Sequence, residues 1–142
     1  MKIEIITDIA QEPVTLEQVK SMLRITGNGH DGALMSMIVS ARKYMEKALS
    51  KSLGVKTIKV TSEDELEAED LPYGPNQTIV TEAEINDDYV YTYTAGFVDI
   101  PDDVKHGIIL LIKHWYDIDD VAESVPEAVK NIIALNTELP ML

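Results

Sequence analysis

Apolar and polar positions along the chain alternate in two rhythms, one for helices and one for strands. After Ile3, Ile5 and Ile6, which fit a short strand or an extended arm, the segment Glu12-Pro13-Val14-Thr15-Leu16-Glu17-Gln18 starts a helix. Thr15 is an N-cap, Gln18 completes a capping box, and Val14 is placed to staple onto Val19. Leu16, Val19 and Leu23 give this helix an inner face to about Ile25, and Gly27-Asn28-Gly29 ends it. His30-Asp31 opens a longer helix, Gly32 to about Leu53, with Leu34, Ile38, Ala41, Met45, Ala48 and Leu49 on one stripe and Gly54 as its stop.

The rhythm then changes to period two. Lys56 to Thr61 and Thr78 to Ile85 each alternate apolar with polar residues, and Asn86-Asp87-Asp88 is short enough to join the second of them to a further strand as a hairpin. That strand carries the clearest β signal: Tyr89, Tyr91 and Tyr93 against Val90, Thr92 and Thr94. Gly96 breaks it, and Pro101 with Asp102 and Asp103 suits a helix start. Val104, Ile108, Leu111, Ile112 and Trp115 share one face of the helix that follows, and Ile109 and Leu110 widen it. Ser124 and Glu127 form a second capping box ahead of Val129, Ile132 and Ile133. The predicted architecture is mainly α, of α+β type: about four helices packed around the central apolar helix (about 101–117), with a small antiparallel β insertion (about 55–95).

At 142 residues the chain fits one domain with its own core. Its expected parts are a helical N-terminal part (1–54), an acidic β insertion (55–96) and a helical C-terminal part (97–142). With no cysteine, disulfides and thiol chemistry are excluded. The longest apolar run, Ile108 to Ile112, is far short of a bilayer span, and no basic-then-apolar signal pattern follows Met1, so a soluble protein without membrane contact is expected.

Charge changes the picture more. The formal net charge is −13, which argues against a nucleic-acid binder that works by neutralising phosphates. Its distribution is uneven. Met1 to Thr61 holds nine Lys or Arg against six Asp or Glu, Ser62 to Val104 none against thirteen, and the remainder three against six. Lys43, Lys47 and Lys51 form an i to i+4 row on the outer face of the second helix, either a solvated face or a surface for an acidic partner. The acidic counterpart is the exposed segment carrying Glu63, Asp64, Glu65, Glu67, Glu69 and Asp70. The apolar tail residues Leu139, Met141 and Leu142 suit docking on a partner or packing back on their own domain.

Catalytic and metal chemistry finds little support. There is no phosphate-binding glycine loop, glycine-flanked nucleophile serine or His-Glu-x-x-His helix. His106 and His114, eight apart on one helix, lie some 80° off a common face. The clustered carboxylates read as solvated, whereas a general acid needs a partly desolvated pocket. No cofactor, metal or catalytic residue is assigned.

Several stretches in this order resemble a known family. They are Glu12 to Lys20 before Leu23-Arg24-Ile25; the Asp31 to Leu49 helix with Ile38, Ala41 and Tyr44; Tyr93-Thr94-Ala95-Gly96-Phe97; Ile100-Pro101 leading to His114-Trp115-Tyr116; and Val125-Pro126 with Val129. Together they are similar to the head-tail connector (adaptor, head-completion) proteins of long-tailed double-stranded DNA phages and prophages. The stretch Asp117 to Ser124 is shorter than the polar stretch common there. The resemblance implies a structural, non-enzymatic virion component: a homo-oligomeric ring at the head-tail junction between the portal and the tail, completing the DNA-filled head. Its implied partners are copies of itself, the portal protein and a tail-side completion or stopper protein, with assembly in the bacterial host cytoplasm and no sequence-specific nucleic-acid binding. An acidic DNA-mimic inhibitor of a DNA-binding protein is the competing class, although a mimic should spread its carboxylates rather than concentrate them in the middle third.

Overall fold

A computed structural model describes residues 1–118 and 125–137. The order is β1 (Lys2–Thr7), α1 (Leu16–Leu23), α2 (Asp31–Leu49), β2 (Lys56–Ser62), a 3-10 turn (Ala68–Asp70), β3 (Thr78–Ile85), β4 (Asp88–Ala95), α3 (Asp102–Ile118) and α4 (Glu127–Thr137). The expectation of a mainly α fold is corrected: among the described residues the structure is 44% helical and 24% strand, an α+β protein. The difference lies at the N-terminus. Ile3, Ile5 and Ile6 belong to a paired strand, and the sheet is four-stranded and antiparallel in the order β1-β2-β4-β3. Two compact units result, Met1–Gln11 with Ser50–Asp99, and Glu12–Leu49 with the described residues from Ile100 on.

In the sheet unit the period-two pattern decides the faces. Opposed residues of an antiparallel pair point to the same side, so the register Val60↔Tyr91 and Ile58↔Tyr93 puts these four side chains on one face. All four are buried, with Leu71 and Ala95, and Leu66, Tyr73, Ile79 and Tyr89 pack against them. Each buried aliphatic side chain here is worth about 2 kcal/mol of removal from water. Thr57, Thr61, Thr92 and Thr94 occupy the opposite face and are half-buried. The β3–β4 turn uses Asn86 (φ 52) and Asp87 (φ 70), the left-handed pair that matches strand twist in a two-residue hairpin.

In the helical unit the capping box is formed: the Gln18 N–H donates to Thr15 Oγ1 at 3.1 Å and the Thr15 N–H to Gln18 Oε1 at 2.9 Å. The helix stops earlier than its glycines suggest. Arg24 takes the left-handed conformation (φ 59), and its N–H reaches the carbonyls of Lys20 and Ser21. In the same way α2 ends at Leu49, with Ser50 at φ 55, rather than near Leu53. α3 packs against α1, α2 and α4. Val104, Ile108, Leu111, Ile112 and Trp115 are all buried on its inner face. The helices approach closely at Gly107, where an added Cβ would sit 3.4 Å from both Met45 Cε and Ile132 Cδ1. Arg42, only 3% exposed, ties the entry of α1 to α2. Its Nε and Nη2 donate to the two carboxylate oxygens of Glu12 at 3.0 and 3.1 Å, and its Nη1 donates to Glu46 at 3.1 Å. Burial works against its charge, but the bonds to Glu12 and Glu46 outweigh it and raise the guanidinium pKa. The second capping box rests on Ser124, which lies outside the described residues.

Gly96 ends β4 at φ 129, and a Cβ there would collide with the Gly54 carbonyl oxygen. Its own N–H donates to Pro75 O at 2.7 Å. Both the backbone angle and the close approach require glycine. Gly96→Ala is expected to cost about 3 kcal/mol, read by urea denaturation; a loss below about 0.5 kcal/mol would contradict this.

Candidate interaction surfaces

The sequence-predicted acidic residues are brought together. Glu63, Asp64, Glu65, Glu67, Glu69 and Asp70 are all exposed, on the loop that leaves β2 and passes over the tyrosine face of the sheet. The loop is anchored as well as acidic. Leu66 turns inward onto the tyrosine cluster, its N–H donates to Tyr91 Oη at 2.7 Å, and Leu71 is buried. Tyr93 Oη donates to Pro72 O at 2.7 Å, and burial pushes that hydroxyl above the ordinary phenol range. Locally, the Asp64 N–H donates to Ser62 Oγ at 3.1 Å and the Glu67 N–H to Asp70 Oδ2 at 3.3 Å. The carboxylates therefore project from a fixed scaffold.

Two more acids join them that the sequence reading did not select. Glu82 and Glu84 lie on β3 opposite Tyr91 and Tyr89. With Glu65, Ala83 and the two tyrosines they line a cleft of about 340 Å³. The Tyr89 hydroxyl is held above its ordinary pKa, by the Glu84 charge first, then by desolvation and the Glu65 charge. Period two in Glu82 and Glu84, set against the tyrosine register, was the available signal. Chemically this cleft favours a cationic group such as a lysine or arginine side chain, and its carboxylates are open to solvent rather than set in a dry pocket.

The basic row is less regular than its spacing suggests. Lys43 and Lys47 are exposed on α2. Lys51 lies past the end of that helix and in the sheet unit, where its Nζ stands 5.9 Å from the Phe97 ring centroid and its backbone bridges Tyr73. The left-handed turn at Ser50 takes it out of line. Leu139, Met141 and Leu142 lie outside the described residues. On the helical unit, a groove of about 450 Å³ is lined by Val14, Glu17, Gln18, Ser21, Met22, Lys105 and Ile109.

Residues 13–136 match the family model of the phage gp6-like head-tail connector protein. No curated protein matches the chain. Among solved structures, a chain from the neck of an empty GTA particle computed with C6 symmetry has a TM-score of 0.78 at 17% identity, covering 100% of this chain and 98% of that one. A chain from the virion of a native gene transfer agent particle gives 0.76 at 18%, and one from the neck of a native GTA particle computed with C12 symmetry gives 0.74 at 16%, with the same coverage. At these identities the likeness is one of fold.

Replacing Tyr91 with Phe keeps the ring in the core and removes the acceptor for the Leu66 N–H. The expected cost is about 1–2 kcal/mol, with faster amide hydrogen exchange across residues 63–70. Unchanged exchange in that segment would show that the hydroxyl does not hold the loop.

Proposed function

Because the chain belongs to the phage gp6-like head-tail connector family, we propose that it is one subunit of a homo-oligomeric ring seated between portal and tail, closing the DNA-filled head and presenting a platform to a tail-side completion or stopper protein. The role is structural, with no reaction assigned. Its place is the head-tail junction of the virion, after assembly in the bacterial host cytoplasm. The observation that carries this reading is the family match over residues 13–136. The whole-chain fold likeness to chains from particle necks computed with C6 and C12 symmetry supports it.

The charge layout suits such an assembly. A closed ring joins one surface of each subunit to a different surface of the next. Lys43 and Lys47 on the helical unit, and the acidic loop with Glu82 and Glu84 on the sheet unit, are exposed surfaces of opposite charge. Their contact, with a neighbouring subunit or with the portal, sets register and encounter rate more than affinity. Carboxylates left facing the opening would repel DNA phosphates and keep the passage from binding its cargo.

Light scattering and electron micrographs of the purified chain, alone and mixed with portal protein, test the ring: closed rings in either sample are expected, and a monomer in both contradicts the reading. Within that assay, Lys43→Glu with Lys47→Glu is expected to weaken assembly about tenfold at low salt and less at 0.5 M, where screening shortens the reach of charge to a few ångströms. Equal assembly at both salts would remove the charge contact.

A further inference from the structure

The sheet ends in two open edges. Among the described residues β1 pairs only with β2, and β3 only with β4. Every residue of β1 is exposed, as is every residue of β3 except Ile79. Neither strand contains proline, the residue that commonly blunts an edge. Their register irregularities fall between Ile5 and Thr7 and between Ile79 and Thr81, which leaves Lys2 to Ile5 and Thr81 to Ile85 regular. Ile3, Ile5, Ile6, Val80 and Ile85, each at least 42% exposed, lie on these two strands. Such an edge is a template for another strand.

We propose that the β1 edge of one subunit pairs with the β3 edge of the next, so that the sheet continues from copy to copy; this rests on the ring reading above. Topology favours that occupant. Each neighbour in the order β1-β2-β4-β3 is antiparallel, so β3 runs opposite to β1. A copy added head to tail in the same orientation therefore lays its β1 antiparallel to β3 and keeps the tyrosine face on the same side. Charge selects the same pairing. Two β3 edges placed together would set Glu82 and Glu84 against the same carboxylates, which is unfavourable. β1 offers Ile3 and Ile5 on the tyrosine face, opposite Val60 and Ile58, and carries one acid, Glu4, balanced by Lys2. The two edges differ, as a heterologous ring contact requires, and backbone hydrogen bonds supply the binding as in strand addition.

The chain has no cysteine, so Ile5→Cys and Glu82→Cys introduce its only thiols, both exposed and on one face. Full-length protein, with portal protein added if rings need it, is treated with a short bis-maleimide and run on a denaturing gel. The double variant is expected to give a ladder past the dimer, with each single variant at least tenfold less cross-linked; Ile3→Cys with Glu84→Cys repeats the test one register step away. Rings in micrographs without a ladder from either pair overturn the edge contact and leave the ring reading standing. Dimers from a single variant overturn it in favour of like-edge pairing. A chain that stays monomeric with and without portal overturns both.

Discussion

Two tyrosine hydroxyls on one strand face hold the long connection between β2 and β3 against the sheet. Tyr91 accepts the Leu66 N–H and Tyr93 donates to Pro72 O, both at 2.7 Å, while their rings fill the sheet core with Ile58 and Val60. A segment of six carboxylates has strong reason to stay apart from itself and from the protein. Leu66 and Leu71 give it something to bury, and the two hydroxyls satisfy backbone groups that burial would otherwise strand. The acidic loop is therefore displayed in a set position, and the same hydroxyls that finish the core also prepare a surface.

The rest of the architecture follows a division of labour. In the helical unit α3 buries its apolar face among α1, α2 and α4, and the buried Arg42 with Glu12 and Glu46 fixes where the chain enters α1. A buried charge cluster of this kind is strained by the loss of any one member more than it stabilises when whole, so it specifies an arrangement. The sheet unit presents carboxylates, open edges and exposed isoleucines. In both units the buried core is distinct from the exposed charge, and in the sheet unit it is distinct from the strand edges as well.

How much of this was legible in the sequence depended on whether the deciding contact was local. The capping box at Thr15 and Gln18, the period-two tyrosines, the hairpin at Asn86-Asp87 and the inner face of α3 rest on residues near in sequence, and their patterns were readable. The N-terminal strand was not assignable, because Lys2 to Thr7 becomes a strand only by pairing with residues fifty or more positions away, and this turned a mainly α expectation into an α+β fold. The helix ends were misplaced by the same logic. Glycines at 27, 29 and 54 looked like stops, yet Arg24 and Ser50 adopt the left-handed conformation first, which no composition rule favours. That single turn at Ser50 also broke the apparent lysine row. Among interaction residues, the acidic segment was visible from charge alone. Its anchoring through Leu66, and the addition of Glu82 and Glu84 to it, needed the register of β3 against β4.

In the proposed ring the contacts belong to the sheet unit and to the charged surfaces beside the cores. An electron cryo-microscopy reconstruction of the neck of a particle containing this chain tests that most directly. The expected result is a closed ring between portal and tail, with β1 of each subunit antiparallel to β3 of its neighbour and the Glu63 to Asp70 loop near a basic surface or the central opening. A neck without this chain, or a ring whose subunits meet only through helices with both sheet edges in solvent, would contradict it.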